Sequence, residues 1–101
     1  MNIQIHAVNV GAIDDLEDRV RDDVTHALRG FADRITSVTV HMREVNGHRG
    51  SSAKHVTVEA HLAGLPPLAV NSEDPDMGRA LAAAMTKLEH AAQHKVGKQD
   101  N

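Results

Sequence analysis

The chain has no cysteine, which removes disulfides, thiolate zinc sites and thiol nucleophiles together, so any metal would need histidine and carboxylate ligands. Aromatic residues are almost as scarce. Phe31 stands alone, without Trp or Tyr, and the stacking platforms by which single-stranded RNA modules hold bases are therefore missing. No segment approaches the roughly 18 consecutive apolar residues that cross a bilayer, and Met1-Asn2-Ile3-Gln4 lacks the basic-then-apolar order of a secretory leader. A cytoplasmic protein without membrane attachment is expected. Positive charge is also in deficit. Eleven Lys and Arg face 14 Asp and Glu, for a formal net charge of −3, which argues against a general nucleic-acid binder. Any RNA contact has to be local and made through charge and shape.

What is present reads as one globular domain. A length of 101 residues with 41% hydrophobic and 25% charged content leaves too little chain for two cores and is far from the composition of disorder. Residues 1–98 are expected to form a single domain and 99–101 a short polar tail.

Residues 1–10 begin with Ile3, Ile5 and Ala7 alternating with Gln4 and His6, the period of a half-buried strand. Gly11 breaks that run, and Asp14 followed by Glu17 resembles a capping box. Leu16, Val20, Val24, Ala27, Leu28 and Phe31 then recur at helical spacing. The other side of this helix carries Asp15, Glu17, Asp18, Asp22 and Asp23 against Arg19, Arg21 and Arg29. Alternation resumes over 35–45 (Val38, Val40 and Met42 inward) and 54–62 (Val56, Val58, Ala60 and Leu62 inward), joined by a polar hairpin loop over 46–52. Gly64 and Pro66-Pro67 precede a short edge strand at 68–72. Asp74 as N-cap and Pro75 at the first helical position open a last helix, whose apolar stripe of Met77, Leu81, Ala84, Met85, Leu88, Ala91 and Ala92 ends near Val96-Gly97. The implied fold is α+β with order βαβββα. It is a four-stranded mixed sheet, the first two strands parallel, with both helices packed on one face and the other face open.

The last helix carries the one ordered charge pattern. At about 100° per residue, Lys87, His90, His94 and Lys98 fall within an arc of roughly 80°, displaced from the apolar stripe. They form a stripe of actual or potential cations, although cations near a helix C-terminus also have a purely dipolar explanation. Eight histidines are the second feature. His41, His55 and His61 point outward with Glu59 among them and His6 alongside, yet no spacing matches a metal motif such as His-Glu-x-x-His, and no metal or cofactor is expected. Catalysis lacks support, with no Gly-x-Ser-x-Gly elbow, phosphate loop or dinucleotide fingerprint. No enzyme and no small-molecule substrate are expected.

Several segments resemble one family. Met1-Asn2-Ile3-Gln4-Ile5, Phe31-Ala32-Asp33-Arg34-Ile35, Val58-Glu59-Ala60-His61-Leu62 and above all the stretch from Glu73 to Lys98, with Asp76-Met77 and Lys87-Leu88, are similar to the ribosome hibernation-promoting factor and ribosome-associated inhibitor family. The resemblance implies a βαβββα fold and binding to small-subunit rRNA in the mRNA and tRNA channel, inhibiting translation under stress or in stationary phase without a cofactor. It carries over an RNA-contacting role directly to Lys87 and Lys98. His90 and His94 stand where the family usually has Arg or Lys, with Lys95 beside them, and Arg79 is a weaker candidate. The first helix offers only His26 and Arg29 amid acids, where relatives carry lysines. Gly64-Leu65-Pro66-Pro67 replaces a glycine-rich turn. The chain is expected to be the short form, without the dimerisation domain of long members.

Charge asymmetry accommodates this reading. Residues 14–33 hold seven acids against three arginines, whereas 34–55 hold Arg34, Arg43, Arg49 and Lys54 against Glu44. A positive region is therefore expected around the hairpin, beside the cationic stripe of the last helix. Because imidazoles ordinarily titrate near about pH 6.5, RNA affinity is expected to rise on acidification. Two other readings remain: a module that binds a regulatory protein through its acidic helix or open sheet, and a histidine-based metal binder using His41, His55 and His61.

Overall fold

Strand alternation decides which side chains meet the core, and the computed structural model follows it. The described residues are 1–8, 14–46 and 52–100, with Asp14, Asn46, Ser52 and 98–100 described in backbone only. The elements are β1 (Asn2–Val8), α1 (Asp14–Ala27), a 3-10 turn (Ala32–Arg34), β2 (Ile35–Asn46), β3 (Ser52–Leu62), β4 (Leu68–Asp74) and α2 (Met77–Asp100). The sheet order is β1-β2-β3-β4. β1 pairs with β2 in parallel, and β2-β3 and β3-β4 are antiparallel. This is the expected βαβββα architecture.

Val38, Val40 and Met42 of β2 and Val56, Val58 and Ala60 of β3 are fully or almost fully buried, and they meet Val20, Val24 and Leu28 from the α1 segment and Leu81, Ala84 and Leu88 from α2. Ile35 also faces inward although it lies an odd number of residues from Val38. A register shift between Ile35 and Ser37 lets it pair with Leu62 and stay buried. Such a bulge inserts one extra residue and re-aims the strand. That residue, Thr36, donates its hydroxyl to the His61 carbonyl at 3.0 Å.

Several boundaries differ from the expectation. The hairpin ladder runs to Asn46↔Ser52, so a shorter connection over 47–51, outside the described residues, replaces the loop over 46–52. β4 extends to Asp74, which pairs with Lys54 of β3. With Asp74 still in a strand, it does not serve as the N-cap of α2. Asp76 does, accepting the Arg79 backbone N–H on Oδ2 at 2.9 Å, while Asp74 Oδ1 accepts the Asp76 N–H at 2.8 Å. α2 then continues through Gly97 to Asp100, since one glycine costs a helix only about 1 kcal/mol. The tight turn after β3 places Gly64 at φ +77°, a backbone region that glycine enters without steric cost. The predicted capping role of Asp14 lies outside the described side chains.

A cation from the helix layer sits on each edge strand. Arg21 of α1 donates to the Ile3 carbonyl of β1 at 2.9 Å, and Lys87 of α2 donates to the Asn71 carbonyl of β4 at 2.8 Å. Charged side chains at sheet edges discourage pairing with other chains. No helix among the described residues is long and apolar enough to cross a membrane.

Candidate nucleic-acid interface

α2 presents its cations on the side away from α1. The surface that α2 turns toward α1 carries Ala82, Met85 and Glu89, which with Asp23 and His26 line the groove between the helices. Lys87 instead reaches over β4. The exposed Arg79, Lys87, His90 and His94 therefore follow one side of α2. Lys95 is half-buried, and Lys98 is helical with its side chain outside the described residues.

The groups differ in how far they are already engaged. Arg79 is held by Asp74 at 3.2 Å, and Lys87 spends one donor on Asn71. His90 and His94 have no hydrogen bond or ion pair with any described residue and are open to solvent. An ammonium retains donors for phosphate after one bond is made, so Lys87 can brace the sheet edge and face a ligand together.

His26 and Arg29 do not join this row. Arg29 pairs with Glu89 across the interhelix groove at 3.7 Å and donates to the His26 carbonyl at 2.6 Å. Glu89 thus separates both residues from the cationic side of α2. The rest of α1 is acidic: Asp15, Asp18 and Asp22 are exposed, Arg19 faces Asp23 at 3.8 Å, and Arg21 is committed to β1.

Of the expected basic region around the hairpin, Arg43 is exposed opposite His55 near the hairpin end of β2, while its other members are engaged, displaced or outside the described residues. Lys54 is bound to Glu44 at 2.8 Å, and Arg49 lies outside the described residues. Arg34 closes the 3-10 turn just before β2, at the opposite end of the sheet from the hairpin, because β2 runs away from it toward Asn46. The hairpin consequently lies beside the start of α2. Arg34 instead joins Arg29, Phe31 and Val96 around an open cleft of about 460 Å³ near the C-terminal part of α2. Counting the strand reversals between 34 and 96 would have revealed this proximity.

The outer sheet face gathers four histidines, but not around one point. His6 and His41 are paired in register and stacked, with ring centroids 5.0 Å apart and planes 16° from parallel. His55 meets Glu73 at 3.2 Å, and His61 meets Glu59 at 2.6 Å. Among the described residues no three His, Asp or Glu side chains converge on a metal position. The triad of His41, His55 and His61 considered as a metal centre is therefore not assembled, since strand register places the three in different rows.

A family model described as sigma 54 modulation protein / S30EA ribosomal protein matches residues 3–100. This chain belongs to that family. The S30EA fold extends to solved structures of low identity. A ribosomal subunit interface protein from Coxiella burnetii superposes with a TM-score of 0.76 at 22% identity, covering 95% of this chain and 99% of that one. The N-terminal domain of Protein Y from Thermus thermophilus gives 0.67 at 21% identity, covering 89% and 93%. Comparison with curated protein sequences gives no match.

Proposed function

We propose that this S30EA-family chain associates with the ribosome, docking on small-subunit rRNA in the channel that mRNA and tRNA use, and holds it inactive under stress or in stationary phase. The observation that carries this reading is the exposed row of Arg79, Lys87, His90 and His94 on α2. Family membership supplies the ribosome as the partner class. The surface suits RNA backbone more than bases, because it offers cations without an aromatic platform.

The polarity of the molecule directs the approach. An acidic α1 is repelled by phosphate while the α2 side is drawn to it, so a protein of net negative charge can still bind in one orientation. Inhibition then needs no chemistry, since a domain seated in the channel excludes mRNA and tRNA by volume. The role is that of a cytoplasmic binding factor and not of an enzyme.

Sucrose-gradient sedimentation of extracts from growing and starved cells, with detection of the native protein, tests this. Co-migration with small subunits or whole ribosomes in starved cells is expected. Migration with a ribosome-free protein partner that survives RNase would replace this reading with that of a protein-binding module.

A further inference from the structure

The fold does not require histidines on the solvent side of α2, because burial fixes only the inward stripe of a helix. Their positions fit another task. His90 and His94 are four residues apart in the continuous helix Met77–Asp100, both exposed. Residues at that spacing lie on one helix face with Cβ atoms roughly 5–6 Å apart, close enough for two ring nitrogens to reach one ion at the usual metal–nitrogen distance of about 2.0–2.1 Å.

We propose that His90 and His94 form a chelating site for a first-row transition-metal dication of the zinc or nickel class. Imidazole suits these ions. The site is the pair of imidazoles on consecutive turns, with the ion's other positions open to water or to an oxygen of a docked ligand. Neighbouring charge permits it: the Lys87 ammonium is drawn toward the Asn71 carbonyl of β4, and Glu89 is occupied by Arg29 on the groove side.

The four histidines of the outer sheet face are worse placed. The stacked rings of His6 and His41 turn faces, not edges, toward each other. His55 and His61 are already held by Glu73 and Glu59. The α2 pair therefore combines unoccupied nitrogens with a spacing fixed by the helix. The site does not depend on RNA binding, so either idea can fail alone.

The test is calorimetric titration of the full chain with zinc chloride and, separately, nickel chloride, with nickel-induced broadening of histidine NMR signals to locate the ion. One saturable site is expected, with His90 and His94 signals broadened first. His90→Gln and His94→Gln should each weaken binding at least about tenfold, the scale on which metal sites respond to lost support. Ala83→His combined with His94→Ala keeps the imidazole count but sets the pair seven residues apart, about 10 Å along the axis, and should weaken it equally. His6→Gln with His41→Gln should change nothing. Circular dichroism checks that each variant keeps its helices. Absence of saturable binding, survival of binding in the double variant His90→Gln with His94→Gln, or its loss in the His6 and His41 variant would overturn the proposal.

Discussion

The two helices do the same work toward the sheet and opposite work toward solvent. α1 buries Val20 and Val24 and exposes Asp15, Asp18 and Asp22, while α2 buries Leu81, Ala84 and Leu88 and exposes Arg79, Lys87, His90 and His94. Burial fixes only one stripe of a helix. The outward residues are free of that demand, so the contrast in charge between helices on one sheet bears on partners and not on the fold.

The strongest way to break the contrast is to attack the shared inward side. Leu88 is fully buried, and Leu88→Ala should cost about 2–5 kcal/mol in urea unfolding through lost burial and a residual cavity. Asp22→Asn on the outer side of α1 should stay within about 0.5 kcal/mol. Similar losses for both would mean that the outward side also carries stability.

Next in size is reversal of the α2 cations. Lys87→Glu with Lys98→Glu should abolish ribosome co-sedimentation while thermal unfolding remains cooperative, since a charge-assisted hydrogen bond contributes about 1.5–3 kcal/mol. Lys87 also braces β4 through Asn71, so Lys87→Gln is the companion variant. It should weaken binding and lower the slope of log affinity against log salt by about 1, the signature of one lost phosphate contact. Retained binding in the double reversal would move the interface away from α2.

The architecture was legible because it depends on local signals: strict alternation at Val38, Val40 and Met42, helical spacing at Val20 and Val24, and breakers at Gly64 and Pro66-Pro67. The boundaries were less so. Asp74 and Asp76 are equally good capping residues by type, and only the pairing of Asp74 with Lys54 across β3 and β4 decides that Asp74 belongs to a strand. The row on α2 could be read from spacing within one helix. What spacing could not supply was tertiary neutralisation: Glu44 on Lys54, Glu89 on Arg29 and Asp74 on Arg79.

A smaller effect sharpens the comparison through pH. His90 and His94 lie exposed on α2, while His26 lies beside Arg29 and Glu89 in the interhelix groove. Imidazole is cationic below its ordinary titration range and neutral above it, so attraction to phosphate strengthens as pH falls. Ribosome affinity at fixed salt should be higher at pH 6 than at pH 7.5. His90→Gln with His94→Gln should flatten that difference, whereas His26→Gln should leave most of it. Equal affinities for the unmodified chain at the two pH values would leave Arg79 and the lysines as the contributors on α2.

The smallest change expected comes from the seam between the helices. Arg29 and Glu89 are 3.7 Å apart with side chains 58% and 32% exposed, and exposed pairs of this kind contribute about 0–1 kcal/mol. Arg29→Ala should therefore shift the unfolding midpoint only slightly. It also frees Glu89, adding an uncompensated negative charge beside the cationic row, so ribosome binding should fall modestly, by less than the Lys87→Gln loss. If Arg29→Ala weakened binding as much as Lys87→Gln, α1 would be contributing a contact of its own and the division of labour between the helices would not hold. Restoring affinity with Glu89→Gln in the Arg29→Ala background separates the two cases, because removing the acid repairs a field but cannot replace a lost contact.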